Sequence, residues 1–150
     1  MFAEVAIYLA DLDGALQLTK EALENAGAPE GSELIFMPEA ARAPLSFGRQ
    51  QSLVLYLDGV SLPQEVYAEL DFDAVVADIE TAFGQASPAL HDTWSGPEET
   101  ALYFFGSDAE EMFRRAEATL LRIPVCQNAR VVLRHGQPSP PRRELRLPRH

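Results

Sequence analysis

The feature that most restricts how this chain can fold is a local plan that occurs three times: a strand-forming block, an acid-bearing turn and an amphipathic helix. The blocks are Ala6-Ile7-Tyr8-Leu9, Val54-Leu55-Tyr56-Leu57 and Ala101-Leu102-Tyr103-Phe104, and the turns beyond them hold Asp11, Asp58 and Asp108. β-Branched and aromatic side chains suit a pleated, half-buried surface, so all three blocks predict strands. The helices announce themselves by apolar residues at three- and four-residue steps. Leu12, Leu16, Thr19, Leu23 and Ala26 form the first stripe, with Asp13 placed to cap it and Gly27 to end it. Phe72, Val75, Val76, Ile79 and Phe83 form the second, between Asp71 and Gly84. Met112, Phe113, Ala116, Leu120 and Ile123 form the third, opened by a Ser107/Glu110 capping box and stopped by Pro124. Arg114, Arg115 and Arg122 lie toward its C-terminal part, where the helix dipole favours cations.

Further strands are predicted at residues 33–37, near Leu90 to Trp94, and at residues 130–134; a short turn follows Ser61, with Pro63 at a first helical position. Residues 51–135 therefore read β-α-β-β-α-β, preceded by an extra β-α-β. That order predicts an α+β fold: a ferredoxin-like (split βαβ) antiparallel sheet enlarged by the N-terminal unit, with helices mainly on one face. An open sheet with both faces covered is the alternative. Residues 1–136 are expected to form a single domain. Residues 38–50 hold two prolines and Gly48 and read as a long loop. From Gln137 onward, prolines among arginines predict an extended, solvated tail over residues 137–150, disordered rather than packed.

Charge decides which partners are excluded. Over residues 1–129 there are 22 acids and 6 bases, a net of −16, whereas residues 130–150 hold 6 arginines and only Glu144. Such a body repels phosphates, so direct nucleic-acid binding is not expected, and a basic protein partner is. No apolar run approaches the ~18 to 20 residues of a membrane span. The start, Phe2 to Tyr8, reads as a strand and lacks a basic, cleavable leader pattern. Cys126 is the sole cysteine, so no disulfide framework exists, and a cytoplasmic home is expected.

The chemistry-bearing residue types are scattered. His91, His135 and His150 show no metal-binding spacing, so neither a metal nor another cofactor is expected. Asp11-x-Asp13 and Asp71-x-Asp73 sit where helices want acidic caps. Cys126 reads as a small packed residue. The run from Leu90 to Pro97 is denser: His91, Asp92, Thr93, Ser95 and the one tryptophan, Trp94, fall in or beside a turn. Neighbours on a strand point to opposite faces, so His91 and Asp92 do not naturally pair, and no catalytic residue is assigned. A binding loop and a buried Trp94 anchoring a hairpin are the two structural readings. Asp58, Tyr67, His91, Asp92 and Trp94 are the candidate binding residues.

The phrases Tyr56-Leu57-Asp58-Gly59-Val60-Ser61-Leu62-Pro63, Trp94-Ser95-Gly96-Pro97-Glu98-Glu99-Thr100 and Cys126-Gln127-Asn128-Ala129-Arg130 occur in this order. In this the segment 53–133 resembles a group of small bacterial proteins to which no activity is assigned. The resemblance implies a bacterial source and a shared fold, and it brings no functional residue with it.

Three functional readings follow. The first is an acidic, non-enzymatic protein-interaction domain, such as an immunity- or antitoxin-type inhibitor of a basic protein. The second is an enzyme or small-ligand sensor with a pocket between the sheet and the loops at 38–50, 58–63 and 91–97. The third is a sheet-edge homodimer with a structural role.

Overall fold

The computed structural model describes residues 12–35, 44–84, 90–135 and 142–148. In chain order its elements are α1 (Leu12–Asn25), β1 (Ser32–Leu34), β2 (Leu45–Phe47), β3 (Gln51–Asp58), α2 (Gln64–Ala68), α3 (Phe72–Phe83), β4 (Leu90–Ser95), β5 (Glu99–Gly106), α4 (Ala109–Leu120), a 3-10 turn (Pro124–Cys126), β6 (Arg130–Arg134) and β7 (Arg142–Arg146). β1 and β2 form a small antiparallel sheet, and the other five strands form a second in the order β4-β5-β3-β6-β7, every neighbouring pair antiparallel. The fold is mixed α+β. The predicted strand Ala6–Leu9 lies outside the described residues.

β3 lies in the centre of the larger sheet, and its sequence shows why. Leu53, Val54, Leu55 and Leu57 are all buried, the continuous apolar run of a strand covered on both faces. The period of two then divides them. Leu53, Leu55 and Leu57 join Leu102, Phe104, Val131 and Leu133 in one cluster with Val75, Ile79 and Phe83 of α3 and Met112, Ala116 and Leu120 of α4. Val54 joins Ala101 and Val132 in another, with Tyr56 and Tyr103 packed against it. The rings of Phe83 and Phe104 meet edge-to-face at 5.2 Å, tying α3 to β5.

The helix ends follow capping chemistry, with some corrections. The Ala74 N–H donates to Asp71 Oδ1 at 3.0 Å, and Gly84 ends α3 at a φ of 85°, a left-handed value that favours glycine. α4 is capped by Asp108, whose Oδ1 accepts from the Glu111 N–H at 2.9 Å, in place of the Ser107 box. Asp13 lies inside the first turn of α1, where its charge still meets the dipole. The last turn of α4 holds no base. Arg114 and Arg115 instead reach Glu111 at 2.6 and 2.7 Å, and their hydrogen bonds pull its carboxyl down to about 2. Arg115 also donates to the Phe83 carbonyl at 2.9 Å, so it serves the C-terminus of the neighbouring helix.

Two stretches expected to be irregular are partly strand. Residues 45–47, inside the predicted loop 38–50, pair with β1. Residues 142–146, inside the predicted tail, pair with β6 along their whole length, and Leu147 beyond them is buried. The prolines at 138, 140 and 141 precede this strand, so none removes a donor from its ladder.

Candidate functional site

Asp58 ends β3 and organises the turn after it. The Val60 and Ser61 N–H groups donate to its Oδ1 at 3.0 and 2.8 Å, and the Ser61 hydroxyl donates to Oδ2. From a distant part of the chain, Asn128 Nδ2 donates to Oδ2 at 2.9 Å. Asn128 holds a φ of 61°, a left-handed conformation that asparagine tolerates better than most residues. Burial alone would raise the Asp58 pKa; these hydrogen bonds outweigh it and hold the carboxyl well below the usual range. Tyr67 of α2 completes the turn, its hydroxyl donating to the Asp58 carbonyl at 3.1 Å and accepting from the Leu62 N–H at 3.0 Å.

Beside this turn lies a cleft of about 150 Å³, lined by Tyr56, Asp58, Val60, Glu98, Glu99, Asn128 and Arg146. Its polar groups mostly hold one another. Arg130 reaches Glu99 at 2.7 Å and stacks 3.8 Å over the Tyr56 ring, and Arg146 donates to Asn128 Oδ1 at 3.2 Å. A carboxylate as acidic as Asp58 is a weak base near neutral pH, so the arrangement suits holding a turn better than moving a proton.

Asp92 and Trp94 stand elsewhere, on β4 at one edge of the sheet. Both are exposed, and the Asp92 carboxylate accepts from the Thr93 N–H at 2.8 Å. The expectation of a buried tryptophan is corrected: Trp94 is 51% exposed. Its indole lies over the hairpin turn, so close that a Cβ on Gly96 would fall 2.3 Å from the ring. Sheet register sets Trp94 opposite Ala101, Ala101 opposite Tyr56, and Tyr56 opposite Arg130. The His91 side chain lies outside what is described. Asp58 and Tyr67 thus come together, and Trp94 joins them only through that row across the sheet.

A surface that the sequence candidates missed lies on α2 and α3. Residues 64–84 hold six acids and no lysine or arginine. Asp71 is spent on its cap, and Glu80 accepts from the Leu90 N–H at 2.7 Å. Glu65, Glu69, Asp73 and Asp78 are exposed, and among the described residues none forms an ion pair. Several carboxylates elsewhere are matched: Glu24 with Arg49 at 2.8 Å, Glu99 with Arg130 at 2.7 Å, Glu110 with Arg143 at 2.6 Å. Glu33, Glu98 and Glu117 are exposed without an ion pair among the described residues but lie apart in sequence. Between α3 and the turn after α4 runs a groove of about 500 Å³, with Ala74, Val75, Ala82, Ile123 and Pro124 in its lining and Glu69, Asp71 and Asp78 beside them. The run of unrelieved acids from 64 to 84 was the available signal.

Among the described residues no three His, Cys, Asp or Glu side chains gather as metal donors, and no helix is long and apolar enough to cross a membrane. Cys126 is buried, which pushes its thiol up to about 12, far from the thiolate that nucleophilic chemistry needs. No family model matches the chain, and neither does any curated protein or solved structure. The class that fold and surface define is an α+β domain in which, among the described residues, Glu65, Glu69, Asp73 and Asp78 are exposed without an ion pair.

Proposed function

We propose that this protein is an acidic, non-enzymatic interaction domain that binds a basic protein, in the manner of an immunity- or antitoxin-type inhibitor. The observation that carries the reading is the set Glu65, Glu69, Asp73 and Asp78, four exposed carboxylates on one segment without an ion-pair partner among the described residues. Glu65 and Asp73 lie in the first turns of α2 and α3, where the helix dipole favours them, but no ion pair neutralises any of the four among the described residues. An opposite surface gains long-range attraction and a faster encounter from such charges. The half-exposed Trp94 indole supplies an aromatic of the type that dominates binding energy, with His91 and Asp92 beside it in sequence. In this reading Asp58 and Tyr67 shape the turn.

The scaffold in this proposal is a ferredoxin-like split βαβ, with α3 and α4 on one face of the sheet. Its support is the strand order β4-β5-β3-β6 and the grouping of Leu53, Leu55 and Leu57 with both helices. A reducing, cytoplasmic setting belongs to the same proposal and fits the lone buried cysteine.

The test is capture with the full chain from its native host, identification of the retained protein, and association kinetics with that purified protein across a salt series. A basic partner whose association rate falls at least about tenfold from low to high salt is expected. A partner that is neutral or acidic, or a rate indifferent to salt, overturns the reading.

A further inference from the structure

Resting on that reading, we propose that the groove between α3 and the turn after α4 is where the partner's chain is held, and that it takes a basic amphipathic segment. The segment would lay apolar side chains on Ala74, Val75, Ala82 and Ile123 and place lysine or arginine against Glu69 and Asp78. The groove, at about 500 Å³, falls within the ~300 to 1,000 Å³ typical of binding clefts. Its apolar lining gives a hydrophobic side chain a gain from leaving water that charge alone does not. Glu69 and Asp78 have no ion-pair partner among the described residues, so binding a cation there breaks no internal pair.

Other occupants are disfavoured by the same charges. A second copy would set this acidic flank against its own like, and a nucleic acid would bring phosphates to it. The chain's own arginine-rich strand is engaged elsewhere: β7 is laddered to β6, and Arg143 is held by Glu110 at 2.6 Å. Arg122 lines the groove too, its Nη2 donating to Thr119 Oγ1 at 3.3 Å, so the partner's positive charge belongs near Glu69 and Asp78.

The experiment uses two fluorescent synthetic peptides with equal numbers of lysines, one a leucine/lysine amphipathic helix and one with glycine in place of leucine. Anisotropy titrations are run against the full-length protein and four variants. Ala74→Trp fills the groove without changing charge, and Ala74→Gln repeats the idea with a smaller intrusion should the first misfold. Asp78→Lys reverses the rim, and Glu33→Lys makes the same charge change on the exposed β1. Circular dichroism checks that each variant is folded.

The leucine peptide is expected to bind about tenfold more tightly than the glycine peptide, with both the folded Ala74 variant and Asp78→Lys losing about tenfold and Glu33→Lys less than about threefold. If a folded Ala74 variant keeps full affinity while both lysine variants lose equally, the groove is overturned and the general acidic reading stands. If neither peptide binds the wild-type protein, both fail.

Discussion

Two sets of carboxylates in this molecule are treated oppositely by the fold. At the end of β3, Asp58 accepts from two backbone amides, a serine hydroxyl and the Asn128 carboxamide, while Glu99 nearby is held by Arg130. On α2, at its end and on α3, Glu65, Glu69, Asp73 and Asp78 stand exposed with no ion pair among the described residues. The residue types are the same, yet the first set is fastened to the architecture and the second is left to solvent. Net charge hides this difference. The six arginines from residue 130 onward offset part of the acidity, and of these Arg130 and Arg143 are bound to Glu99 and Glu110, on the far side of the chain order from α2 and α3. Among the described residues, Glu65, Glu69, Asp73 and Asp78 gain no ion pair from any of these arginines.

The comparison breaks most easily at Asp58. Asp58→Ala strands the Asn128 donor and two turn amides, so a loss of about 2 to 3 kcal/mol is expected in urea unfolding, with Tm lower by roughly 4 to 12 °C. Changing Glu69 to Gln and Asp78 to Asn together is expected to stay within about 0.5 kcal/mol. Equal losses from the two experiments would erase the distinction. A pH series sharpens the same point. The folded Asp58 carboxyl titrates below its unfolded value of ~3.9, so its contribution is complete above that value and is lost as pH falls through the depressed folded pKa. The wild-type protein should therefore lose stability from about pH 5 downward, and Asp58→Asn should flatten that acid limb. An unchanged limb would show that Asp58 is not the linked group. Tyr67→Phe, which removes the hydroxyl between Leu62 N–H and the Asp58 carbonyl, comes next at about 1 kcal/mol.

These two regions also differ in how far they were legible in the sequence. The acid after each Tyr-bearing block marked a turn correctly at Asp58, because a strand followed by Asp-Gly is a local signal. Its link to Asn128 spans 70 positions and exists only once β6 has docked beside β3. The central strands and α3 and α4 were readable from apolar periodicity, which burial itself imposes. β2 and β7 were not: the first has three residues, and the second alternates too weakly among prolines and arginines to outweigh a tail-like composition. That miss carried over to the surface. With residues 142–146 read as a solvated tail, Arg143 had no assigned place, and its pairing with Glu110 could not be deduced. Trp94 was missed in depth rather than position, since the hairpin was foreseen and the exposure of its edge strand was not.

The smallest expected effect probes the open carboxylates directly. Asp78 lies within α3, is exposed, and has no ion pair among the described residues, so its charge meets the other acids of residues 64–84 and no base of that segment. Asp78→Asn keeps the shape and nearly the helix propensity while removing one repelling charge. At low ionic strength the variant should be more stable than wild type by a few tenths of a kcal/mol, and salt should close the gap as screening weakens the repulsion. Parallel urea titrations at low and high salt measure both parts. A loss of stability on substitution would mean that Asp78 answers a cation within the fold, which would move it from the unfastened set to the fastened one and remove a rim contact from the proposed groove. A salt-dependent gain would leave the carboxylate as a charge whose only use lies outside the chain.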